Sequence, residues 1–150
     1  MELLISFLKK INFFSFLRQG LSITPLYYGD IKRLSVGKRV SLANTLFNMR
    51  SGNVKIGNGV IFGHDCMVLT GFHDYSKSGE DRERITVENA NRNIVIEDGV
   101  WVASGVIIIG PVKIGKNAVI GAGSVVSKNI EQGMIAYGIP AKVKRKIKIN

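Results

Sequence analysis

Few side chains in this 150-residue sequence have the chemistry of a catalytic group. There are two histidines, His64 and His73, and a single cysteine, Cys66. His73 closes the stretch VLTGFH, where a regular hydrophobic pattern stops and the polar run DYSKSGEDRERITVENANRN begins. An imidazole with an ordinary pKa of about 6.5 can take a proton from a hydroxyl and pass it on at neutral pH. Asp74, the next residue, is a candidate to orient the ring. The plain alternative for any lone histidine is a satisfied surface or core residue. His64, in FGHDCM, reads as an exposed residue on an outer corner, with approach to a neighbouring subunit's site as the other option. Cys66 falls on an inward-facing position and reads as a small buried hydrophobe. One cysteine excludes an internal disulfide and fits a reducing cytosol.

The elements that must position these groups follow a period of six. An aliphatic residue recurs at Ile96, Val102, Ile108, Ile114, Ile120 and Val126. Four places after each stands Val100, Val106, Val112, Ala118, Ser124 and Ile130. A 3.6-residue helix would scatter such positions and a plain strand would repeat every two. A six-residue period with glycine or another small residue nearby is the pattern of a hexapeptide β-solenoid, an all-β fold in which three hexads make one triangular coil. Earlier hexads run through VGKRVS, LANTLF, IGNGVI, FGHDCM and VLTGFH, with a slip near Arg50-Ser51-Gly52 that predicts a bulge or short loop. About four coils are expected. The polar run at about 74–93 must leave the solenoid wall as an extruded loop.

Length gives one solenoid domain over 21–150, preceded by a distinct segment over 1–20. In that segment Leu3, Leu4, Phe7, Leu8, Ile11 and Phe14 lie at spacings that predict one amphipathic helix. It reads as a cap over the open solenoid end, or as an interfacial anchor helped by Lys9, Lys10 and Arg18. Glu2 and the Lys9-Lys10 pair argue against a signal peptide or a membrane span. The composition, 45% hydrophobic and 21% charged, is that of a globular domain. The formal net charge of +10 favours anionic partners. Half of that excess sits in a basic tail over 136–150, at Lys142, Lys144, Arg145, Lys146 and Lys148. No aromatics interleave with these charges, and no nucleic-acid partner is expected.

The segment VWVASGVIIIGPVKIGKNAVIGAGSVVSKNI followed by AYGIPAKVKR resembles the hexapeptide-repeat acyltransferases, a superfamily of left-handed parallel β-helices. Within it the likeness is to the galactoside, maltose and xenobiotic O-acetyltransferases and their polysaccharide-modifying relatives. The resemblance implies acetyl-CoA as cosubstrate and His73 as the catalytic base, with Asp74 beside it. A direct transfer would pass through a tetrahedral oxyanion held by a backbone N–H. It further implies cofactor contacts from Trp101, Ser104, Ala122, Ser127, Lys128, Lys142 and Arg145, the last two facing phosphates. Trp101 could instead fill a seam between subunits. Asn44 matches an asparagine near the acceptor sugar, and Glu80, Asp81 and Glu83 either contact acceptor hydroxyls or form a solvated loop. The chain reads TGFH where the family has TGH, and Lys142 where the family commonly has arginine. A homotrimer with sites between subunits is implied as well.

The function expected is acetyl transfer from acetyl-CoA to a sugar hydroxyl, in surface polysaccharide assembly, in the cytoplasm or peripherally at the inner face of the membrane. Alternatives are N-acetyl transfer to an amino sugar, a xenobiotic acceptor, or a non-catalytic scaffold. A metal-dependent protein like the carbonic anhydrase branch of the fold needs three histidine ligands. Two histidines do not supply them, and no metal is expected.

Overall fold

The structure is a computed structural model in which residues 24–84 and 91–148 are described. The helix expected over 1–20 lies outside those residues. Short strands follow one another around three faces. The first face holds β1 (Leu26–Tyr28), β3 (Leu46–Asn48), β6 (Met67–Leu69), β9 (Ile107–Ile109) and β12 (Val125–Val126). The second holds β2 (Leu34–Val36), β4 (Val54–Ile56), β7 (Ile94–Ile96) and β10 (Val112–Ile114). The third holds β5 (Ile61–Phe62), β8 (Trp101–Val102), β11 (Val119–Ile120), β13 (Met134–Tyr137) and β14 (Lys142–Lys146). Among the described residues every strand pairing is parallel except β13 with β14, and each coil rests on the coil before it. Single bridges, Ser41 to Ile61 and Ile130 to Ile114, stand in place of strands on the third face of the first coil and the second face of the last.

The six-residue period maps directly onto the core. Ile96, Val102, Ile108, Ile114, Ile120 and Val126 are all buried, as are Val100, Val106, Val112, Ala118, Ser124 and Ile130. Phe47, Val54, Ile56, Val60, Phe62, Cys66 and Val68 continue the same column through the earlier coils. Ser124 is tolerated inside because its hydroxyl donates to the Gly121 carbonyl at 2.6 Å and accepts from the Gly138 N–H at 3.1 Å. Burial pushes the Cys66 thiol up from its ordinary pKa, and its sulfur sits 3.2 Å from the Ala103 carbonyl.

Glycine serves two distinct ends. A Cβ on Gly63 would stand 2.5 Å from the Ser104 nitrogen, and one on Gly115 would stand 2.5 Å from the Gln132 nitrogen. At both places the next coil passes where a side chain would be. The corner from second to third face needs left-handed backbone instead, at Gly59 (φ +65), Gly99 (φ +69), Asn117 (φ +57) and Gly133 (φ +66).

Two features differ from the sequence reading. The first face carries five strands, hence five coils where about four were expected. The extra coil begins at β1, whose residues Leu-Tyr-Tyr carry no hexad, because an end coil packs on one side only and need not keep the small-residue pattern. Within the basic segment 136–150 the chain also folds back, as β14 pairs antiparallel with β13.

Ile108→Ala removes a fully buried side chain from the middle of the stack and should cost about 2–5 kcal/mol in denaturant unfolding. A loss below about 1 kcal/mol would mean the column is not a packed core. Cys66 should resist thiol reagents in the native protein and react on unfolding; rapid native labelling would contradict its burial.

Candidate functional site

Among the described residues, a long insertion leaves the wall at one corner between first and second faces, after β6. After β6, the Thr70 backbone N–H and its hydroxyl both donate to the Asn48 carbonyl, each at 2.8 Å. The Phe72 N–H donates to the Ser51 hydroxyl at 3.1 Å. The slip around Arg50-Ser51-Gly52 is therefore a wider corner whose polar groups seat the foot of the outgoing loop. On the return side, Arg92 donates from Nε to the Thr70 carbonyl at 3.1 Å and stacks its guanidinium 5.0 Å from the Phe72 ring centre. That cation–π contact ties the two feet together. A Cβ on Gly52 would meet the Arg92 carbonyl carbon at 2.7 Å, so glycine lets the returning strand close in.

His73 emerges from this junction, exposed, and lines a cleft of about 250 Å³ with Tyr28, Asn48, Arg50, Gly71 and Phe72. Its Nδ1 lies 3.0 Å from the Arg82 carbonyl. A carbonyl only accepts, so Nδ1 carries the proton and the lone pair is left on Nε2. Arg82 sits in the short helix α1 (Gly79–Arg84), inside the extruded loop. The Arg82 side chain donates from Nε to the Lys77 carbonyl at 2.7 Å, which ties α1 to the turn after His73.

Asp74 is not the ring's partner. Its Oδ1 accepts from the Ser76 hydroxyl at 2.6 Å and from the Ser76 N–H at 2.9 Å. These bonds, the hydroxyl first, hold its carboxyl below the usual range. An aspartate next to a turn finds the N–H two residues on more easily than the side chain beside it, which points away. Its part is to shape the turn that brings Arg82 over His73. Asn44 lies at the corner from third to first face. It exchanges hydrogen bonds with Asp65, donating from Nδ2 to Oδ1 at 2.6 Å and accepting from the Asp65 N–H at 2.8 Å, and so locks two stacked corners.

Asn48 is the asparagine that the cleft contains, and it was missed. Its Nδ2 occupies the space over Gly71, 2.6 Å from where a Cβ would stand, which explains the glycine of LTGFH. The signal was the register: Asn48 pairs with Leu69, two residues before Gly71.

The remaining residues lie elsewhere on the prism. The Gly105 N–H donates to the His64 carbonyl and the Gly123 N–H to the Ser104 carbonyl, so His64, Ser104 and Ala122 stack at the corner from third to first face. All three are exposed. Ser127 and Lys128 follow β12, and Lys142 and Arg145 lie on β14, again exposed. Trp101, half exposed at 51%, points outward in one row with Val119, Ile135 and Arg145. Within one chain Trp101, Ser104, Ala122, Lys142 and Arg145 occupy the third face and its edge with the first, whereas Ser127 and Lys128 lie on the corner from first to second face, two coils beyond His73. Small residues at an edge, followed by cations at one end, suit an elongated ligand with phosphates at that end.

Residues 93–128 match the family described as bacterial transferase hexapeptide (six repeats). The galactoside O-acetyltransferase of Lactococcus lactis is 35% identical over 142 residues, covering 93% of this chain and 66% of the relative. The chain belongs to the hexapeptide-repeat acyltransferase superfamily. Two solved members resemble it in three dimensions. A galactoside acetyltransferase in complex with coenzyme A superposes with a TM-score of 0.69 at 28% identity, over 83% of this chain and 60% of that one. A hexapeptide-repeat acetyltransferase from Vibrio cholerae complexed with acetyl coenzyme A gives 0.65 at 27% identity, over 83% and 66%. The solenoid is accordingly a left-handed parallel β-helix. The chain spans about 60–66% of the length of these relatives.

Nitrogen-15 NMR of the His73 ring should find the neutral imidazole protonated at Nδ1. A dominant Nε2–H form would contradict the Arg82 contact.

Proposed function

We propose that the protein transfers an acetyl group from acetyl-CoA to a sugar hydroxyl, with His73 as general base. The observation that carries the proposal is the imidazole fixed through Nδ1 by a backbone carbonyl, in a cleft, on an acyltransferase solenoid. Nε2 accepts the hydroxyl proton as the sugar oxygen attacks the thioester carbonyl. The C–S bond then breaks, and the imidazolium returns the proton to the departing thiolate. Because the carbonyl holds the ring, little orientation is lost during attack. Asn48 offers an N–H donor beside the same cleft. Trp101, Ser104, Ala122, Ser127, Lys128, Lys142 and Arg145 would hold the cosubstrate, whose thioester supplies the activated acyl group.

Acting together, His73 and the residues of the third face (Trp101, Ser104, Ala122, Lys142 and Arg145) require two chains, since in one chain they occupy different edges. The outer faces support that assembly. The first face presents Leu26, Leu46, Met67, Ile107 and Val125 outward in one row. The third presents Ile61, Trp101, Val119 and Ile135. The second presents Ser35, Lys55, Val95 and Lys113, a surface suited to water. Two apolar faces and one polar one fit a closed trimer, the first face of each chain against the third face of the next. A role in surface polysaccharide assembly, in the cytoplasm and at the inner face of the membrane when the acceptor is lipid-linked, belongs to the same proposal.

Acetyl-CoA turnover against a panel of sugars tests it. His73→Ala should lower kcat by about 10²–10⁴-fold while acetyl-CoA affinity is unchanged. Full turnover in that variant would remove His73 from the chemistry. A monomer by light scattering at active concentrations would remove the shared site.

A further inference from the structure

The cleft contains one charged group that acyl transfer does not use. Arg50 stands at the wide corner, exposed, and lines the same cavity as His73. Its backbone is gripped on both sides: its N–H donates to the Asn48 Oδ1 at 3.2 Å, and its carbonyl accepts from the Arg33 guanidinium at 3.0 Å. The side chain therefore departs from a fixed point. Among the described residues the ion pair is Lys113 with Glu97 at 2.7 Å, on the second face, and no carboxylate pairs with Arg50. The nearby Asp74 carboxylate is taken up by Ser76. A guanidinium presents five N–H donors in a planar fork that matches a carboxylate or phosphate. Tyr28, half exposed, adds an aromatic ring to the same wall. The volume of about 250 Å³ lies below the ~300–1,000 Å³ of drug-sized sites and suits one sugar ring.

We propose that the acceptor is an acidic sugar residue, and that Arg50 is the specificity-determining side chain that binds its carboxylate or phosphate while the acceptor hydroxyl meets His73. This rests on the acetyl-transfer function proposed above. The sugar ring lies against Tyr28, its charged substituent reaches Arg50, and Asn48 donates between the two. A neutral sugar entering the cleft forgoes the charge-assisted contact with the guanidinium, so it binds more weakly than an acidic one.

Acetyl transfer by the full chain is measured with 4-nitrophenyl glucoside and galactoside against their uronides, and with glucose against glucose 6-phosphate. The wild type should favour acidic acceptors in kcat/KM by about tenfold to hundredfold, the scale of a charge-assisted pair. Preference for the uronides supports the proposal with a carboxylate, and preference for the 6-phosphate supports it with a phosphate. Arg50→Ala should abolish the preference, mainly through KM for the acidic acceptor, and Arg50→Glu should reverse it. Arg50→Lys should restore part of it. Lys55→Ala, which removes one positive charge from the second face, should leave the ratio unchanged and so separates a local contact from the general positive field. Neutral acceptors used equally well, or a raised KM for acetyl-CoA in Arg50→Ala, would overturn the proposal while acetyl transfer stands. Calorimetric binding of acetyl-CoA without transfer to any acidic acceptor would also overturn it. Absence of acetyl-CoA binding would defeat the enzymatic function itself, and this proposal with it.

Discussion

Every coil must return its backbone to the coil below at strand spacing, because the inter-coil hydrogen bonds are the wall of the solenoid. The Gly57 N–H reaches the Ile96 carbonyl at 2.7 Å and the Gly63 N–H reaches the Val102 carbonyl at 2.7 Å. A chain under that constraint has few choices. Eighteen residues separate Trp101 from its partner Val119, and eighteen separate Ile107 from Val125, which is three hexads each time. Aliphatic residues fill the interior. Glycine stands where the next coil passes too close for a side chain, and left-handed residues turn the tight corners.

The same constraint leaves one corner free. Forty residues separate Ile61 from its partner Trp101, yet the pairing is the same parallel register as elsewhere. An insertion at a corner does not disturb the ladders on either side, and the entropy of closing it grows only slowly with length. The corner from first to second face is where that freedom is used. Ser51, Thr70 and Arg92 close the neck of the loop, and the loop folds back so that a carbonyl from α1 holds the His73 ring. The rigid wall supplies Asn48 and Arg50 to the cleft, and the start of the insertion supplies His73. Precision at His73 thus comes from a loop braced on a scaffold that cannot shift.

Charge and polarity divide the outside of the prism as well. The second face shows lysines to solvent, whereas the first and third carry apolar rows that water would not favour. The groups suited to acid–base chemistry and those suited to a phosphate-bearing ligand lie on different edges of one chain.

The sequence by itself determined the solenoid, because inward side chains repeat every six residues and each reports burial independently of the others. It determined that the run after His73 leaves the wall, since polar residues without a period cannot fill the core. It also singled out His73, through the point at which the pattern breaks. Partners across the stack were beyond it. Asn44 and Asn48 are four residues apart and chemically identical, but only the ladder decides that one meets Asp65 and the other lies over Gly71 beside the imidazole. Asp74 looked like the ring's orienter by adjacency, whereas the carbonyl that orients it comes from Arg82, nine residues on. Arg50 carried no motif at all. Hydrogen-bond partners are fixed by how coils and loop close in space, and a linear pattern of burial does not encode that closure.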